Sequence, residues 1–160
     1  MTTTTDPSAP STTSTPVGGE RRVDILLAHY GESHQNPRNE LIHFIAIPLI
    51  MLSLVGMMFA LHPYVAYAFV AASMVYYARL SVVFLITMAV LSAAFIGVVF
   101  AMGSLVLPVC VAIFVGAWIL QFIGHKIEGK KPSFFEDIQY LWVGPLFVLS
   151  KLFGKLGIRW

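Results

Sequence analysis

Four apolar runs fill the chain from Leu41 to Gly124, and Arg79 is the only charged residue among them. They cover 41–61, 64–80, 81–102 and 105–124, parted by His62-Pro63, by the Arg79 turn and by Gly103-Ser104. A membrane-spanning helix takes roughly 20 apolar residues, with a lower limit of about 17. Three runs meet that length comfortably, and the second is marginal. Ahead of them, Val23, Leu27, Tyr30 and His34 recur at helical spacing, while Arg21, Arg22, Asp24 and Glu32 fall elsewhere. This predicts a short amphipathic helix over 20–33 lying on a membrane surface. Behind them, Tyr140–Leu149 is apolar but too short to span, and its Gly144-Pro145 suits a re-entrant or interfacial segment. Lys151, Lys155 and Arg159 then form a basic stripe beside Leu152, Phe153 and Leu156, which predicts a second amphipathic helix facing anionic headgroups.

Finer features mark the ends and faces of these elements. Asn36-Pro37 reads as a helix start, with Asn capping free N–H groups and proline at a position whose donor would be wasted. Ala89, Ala93, Gly97 and Ala101 make a small-residue stripe that would let helices approach closely in lipid. Pro108 predicts a kink in the fourth span. The expected fold is all-α: an integral membrane protein with four transmembrane helices and interfacial amphipathic helices at both ends. Residues 1–19, rich in Thr, Ser and Pro, are expected to form a disordered tail, since they hold too little apolar surface to offset their ordering entropy. Residues 20–160 are then one membrane domain, interfacial or re-entrant over 133–160.

Composition agrees. At 58% hydrophobic and 11% charged, with mean hydropathy +0.79, the chain is unlike a soluble domain. A formal charge of +2 and no basic run interleaved with aromatics exclude a nucleic-acid partner. The lone Cys110 excludes an intramolecular disulfide and reads as a packing residue. Four spans put every one of the ten Lys and Arg residues on one side, which the positive-inside rule makes cytoplasmic, with both termini there. The expected setting is a bacterial inner membrane, or the endoplasmic reticulum in a eukaryote.

That topology gathers His29, His34, His43 and His125 at the cytoplasmic boundary and strands His62 opposite. Polar groups carried into a bilayer are costly, so their presence there points to function. Asn39 and His43 share a helix face, as do Gln121, His125 and Glu128 if the last span continues. His34, His43 and His125 are therefore the candidate metal ligands. Asn39, Gln121 and Glu128 are candidates to orient the rings from behind. His29 lies off the apolar stripe and reads as a surface residue, and His62 as a turn residue. Imidazole suits iron, zinc, copper or nickel; an open site with two or three histidines and a carboxylate favours non-haem Fe(II) oxygen chemistry.

HQNPRNELIH over 34–43 followed by Ile47-Pro48, WILQFIGHKIEGKKPSF over 118–134, and GPLFVL over 144–149 form a specific set. Over about residues 22–158 the chain resembles the small membrane family typified by the fungal endoplasmic-reticulum 2-hydroxy fatty acid dioxygenase. The resemblance implies an Fe(II)-dependent enzyme that uses O₂ to shorten 2-hydroxy fatty acids by one carbon, an α-oxidation, with motif histidines at His34, His43 and His125. Fungal members hold one residue more between the histidine and the acid matched by Glu128, which assigns Glu128 a supporting role. The alternatives are a non-enzymatic membrane protein whose polar cluster is structural or binds a partner, and another lipid-active metalloenzyme.

Overall fold

The computed structural model describes residues 21–32, 34–129 and 140–160. The predicted tail over 1–19, and 133–139 of the expected interfacial segment, lie outside the described residues. Six α-helices and no strand occur among the described residues. They are α1 (Arg22–Gly31), α2 (Pro37–Leu61), α3 (Pro63–Ala78), α4 (Val82–Met102), α5 (Val106–Glu128) and α6 (Val143–Leu156), with a 3₁₀ turn at Gly103–Leu105.

Helix boundaries follow local chemistry. The Asn36 side chain accepts from the Arg38 N–H at 3.0 Å, and Pro37 opens α2. His62 is the one residue between α2 and α3. Its N–H donates to the Met58 carbonyl, and its Nδ1 accepts from the Tyr64 N–H at 3.2 Å. Gly103 ends α4 with φ +54, a conformation that favours glycine. Pro108 is the third residue of α5, where the missing N–H has no helical partner to lose, so the predicted kink becomes a helix start. Pro145 stands likewise in the first turn of α6.

Two stretches are long and apolar enough to cross a membrane, Pro37–Leu61 and Val82–Glu128, the second interrupted at Gly103. At 16 residues, α3 rises only about 24 Å, short of a hydrocarbon core of about 30 Å. Helices α2 and α5 pack most extensively and form the axis of the domain. Gly56 lies so close to the Cys110 side chain that a methyl group there would collide with its sulfur. Cys110 is fully buried with Val55, Ala66 and Val99, as its packing role predicts.

Two sequence expectations change. The Val23–Leu27–Tyr30 stripe of α1 is buried against protein, in a core shared with Leu146, Phe147 and Phe153 of α6, rather than laid on lipid. The reason is that α6 offers a complementary apolar face, Val143–Leu149 being buried throughout. The Ala89, Ala93, Gly97 and Ala101 stripe is exposed, and a carbon added at Gly97 would meet nothing within 4 Å among the described residues. Helix α6 absorbs both the short apolar run and part of the basic stripe; Gly157 ends it before Arg159.

Candidate metal centre

Three elements each deliver one histidine to a common point. His34 comes from the connector between α1 and α2, its backbone N–H held by the Gly31 carbonyl at 3.0 Å. His43 lies two turns into α2, and His125 in the last turn of α5, where the helix continues past Gly124 to Glu128. One ring nitrogen from each lies within 4.8 Å of the others, and all three residues are buried. Among the described residues this is the only group of its kind.

The tautomers follow from the backbone. His34 Nδ1 lies 2.8 Å from the Tyr30 carbonyl, and His43 Nδ1 lies 3.0 Å from the Asn39 carbonyl. A carbonyl can only accept, so each Nδ1 carries the proton and each neutral ring turns an unprotonated Nε2 inward. These two Nε2 atoms stand 3.0 Å apart. Two lone pairs at that distance repel unless a cation or a proton lies between them. The donor set thus fits a metal ion bound by imidazole, with the far nitrogens anchored as metal-ligating histidines usually are.

Glu128 braces the site without joining it. Its carboxylate accepts from the Gln35 N–H at 2.9 Å, from the Asn36 N–H at 3.0 Å and from the Asn39 side-chain nitrogen at 3.0 Å. Burial pushes this carboxyl up, but the hydrogen bonds from Asn36, Gln35 and Asn39 outweigh it, leaving the pKa below the ordinary glutamate value. The carboxylate ties the end of α5, which bears His125, to the connector that bears His34.

Asn39 touches Glu128 with its side chain and His43 with its backbone carbonyl. Gln121 is buried one turn before His125 and walls a cavity of about 30 Å³ with Tyr30, Trp118 and Tyr140. His29 is exposed, 3.6 Å from the Glu32 carboxylate, and His62 caps α3 far along the chain. Sequence reasoning missed Tyr30, whose ring stacks on His34 at 4.2 Å with an 11° tilt, and Phe147, 5.7 Å from His34. The spacing of four from Tyr30 to His34 was the available signal. It also missed Gly124, which leaves room for Asn39.

Beyond the small cavity lies a second of about 180 Å³, walled by Ile47, Pro48, Met51, Met88, Leu91 and Phe95 with Pro145 and α6. Every side chain lining it is apolar, and Ile47, Met51 and Pro145 line both cavities.

The family model described as "2-hydroxy-palmitic acid dioxygenase Mpo1-like" matches residues 21–156. The 2-hydroxy-palmitic acid dioxygenase MPO1 of Saccharomyces cerevisiae is 29% identical over 155 residues, covering 87% of this chain and 85% of the yeast protein. No solved structure matches. The match takes in all six helices and all three clustered histidines, and the chain belongs to the Mpo1-like family.

Proposed function

We propose that this protein is an Fe(II)-dependent membrane dioxygenase that shortens 2-hydroxy fatty acids by one carbon. The observation that carries this reading is the buried cluster of His34, His43 and His125, with two inward Nε2 atoms 3.0 Å apart. The similarity to the yeast 2-hydroxy-palmitic acid dioxygenase supports the reaction class. Zinc has no redox chemistry, so an oxygenase reading favours iron among the metals that imidazole suits. Bound there, Fe(II) supplies the activation of O₂.

The chain's own residues do the rest. The Tyr30 and Asn39 carbonyls hold the tautomers of His34 and His43. The Tyr30 ring and Phe147 cover His34 and keep water from it. The apolar cavity between α2, α4 and α6 takes the acyl chain, at about 0.8 kcal/mol for each methylene buried. A 2-hydroxy acid and O₂ together hold the atoms of the acid one carbon shorter, carbon dioxide and water. Neither 2-oxoglutarate nor a nicotinamide is therefore required. In this reading the chain spans the bilayer four times, α3 with help from flanking residues. Both termini and the histidine cluster then lie at the cytoplasmic boundary, where the head of a membrane-dissolved acid would be.

The test is incubation of anaerobically purified protein with O₂ and long-chain 2-hydroxy acids, read by mass spectrometry. A product one carbon shorter is expected, lost in chelator and restored by Fe(II) but not Zn(II). No such product across chain lengths, from protein shown to contain iron, would overturn the reading.

A further inference from the structure

The small cavity walled by Tyr30 and Gln121 has a polar lining residue that the described residues leave unanswered. Gln121 is 4% exposed, and its Oε1 is buried with no hydrogen-bond partner among the described residues. Buried polar atoms are nearly always paired, so an orphan acceptor on a residue that lines a cavity asks for a donor that the described residues do not supply. The space of about 30 Å³ admits one small polar group and nothing the size of an alkyl chain. Tyr30, which stacks on His34, forms part of its wall, so the cavity is linked to the metal-binding rings through that one side chain. Ile47, Met51 and Pro145 separate it from the apolar cavity. A molecule that fits all three regions has an anionic or chelating head, a hydroxyl donor next to it, and an alkyl tail.

We infer that Gln121 is the residue that reads the 2-hydroxyl group, its Oε1 accepting the hydroxyl hydrogen of the substrate while the tail enters the apolar cavity. This rests on the reaction proposed above and adds how the enzyme selects among acids. The hydroxyl gives the Gln121 oxygen the partner it lacks, so discrimination comes from a hydrogen bond that only the hydroxy acid can make. His34 and His43 take their orientation from backbone carbonyls, so those two rings do not depend on the Gln121 side chain.

Two measurements on the purified full chain test it, both comparing a 2-hydroxy acid with the unsubstituted acid of equal length. In the first, Gln121→Met, which keeps the side-chain length and removes the acceptor, should lose the preference for the hydroxy acid by about tenfold. Its affinity for the unsubstituted acid and its iron content should stay unchanged. A preference that survives, or an equal loss for both acids, overturns the inference. In the second, which needs no variant, the wild-type protein stripped of metal should still bind the hydroxy acid more tightly. Equal affinities there assign the selection to the metal and overturn the inference as well. Failure of the underlying reaction looks different: the iron-loaded wild type would give no shortened product, whatever its binding preference.

Discussion

Gly124 faces the Asn39 side chain so closely that a single added carbon would collide with Asn39 Oδ1. Helices α2 and α5 meet here, one turn before His43 on α2 and next to His125 on α5, and the glycine sets how near they come. Gly124→Ala should force them apart and cost about 1–3 kcal/mol, with loss of bound metal. Gly116→Ala on the same helix meets open space and should be neutral or up to about 1 kcal/mol stabilising. Thermal unfolding and metal analysis of both variants check the contrast; equal effects would refute the close fit.

The histidines should separate into two classes. His34→Ala, His43→Ala and His125→Ala should each abolish stoichiometric iron and activity while the protein remains in the membrane. His29→Ala, at an exposed position, should keep both. His62→Ala removes the acceptor that caps α3 and should cost about 1 kcal/mol of stability with turnover intact. Metal content, turnover and melting temperature of the five variants decide this.

Glu128→Ala should weaken metal binding by about 10- to 100-fold, since it frees the connector that carries His34. A pH effect follows from the same carboxylate. Its pKa is lowered in the folded state, so its stabilising contribution is present above the ordinary glutamate value of about 4.3. It is lost as pH falls below that value through the lower folded one. Unfolding midpoints of wild type and Glu128→Gln should therefore converge on acidification through this window; parallel curves would show that the carboxylate charge does no such work.

Topology gives a fourth test. Reporters placed after residue 19 and after Trp160 should both read cytoplasmic, and a tag at His62 external. An external C-terminal reporter would remove the shared boundary on which the four-span reading depends.

Much of the site was legible because its markers are local. Asn36-Pro37 announces the start of α2 by cap chemistry, and the one-sided Lys and Arg distribution predicts that His125 returns toward His34 and His43. What was hidden depends on partners. The α1 stripe shows which face is apolar, yet only α6 decides that protein rather than lipid covers it. Pro108 reads as a kink until the helix start at Val106 places it in a first turn. Gly124 and the orphan oxygen of Gln121 acquire meaning only when α2 and the cavities stand beside them.

Tyr30 and Asn39 aim the rings of His34 and His43 with main-chain oxygens, four residues ahead in each case. The chemistry of neighbouring side chains is therefore not what sets those directions; spacing along the chain is, through helical phase for His43 within α2 and through the turn after α1 for His34. One residue inserted between Asn39 and His43 would swing the second ring by about 100°. Length changes within these two short intervals should be fatal to the site, whereas most replacements of the residues between them should leave the rings pointing where they do now.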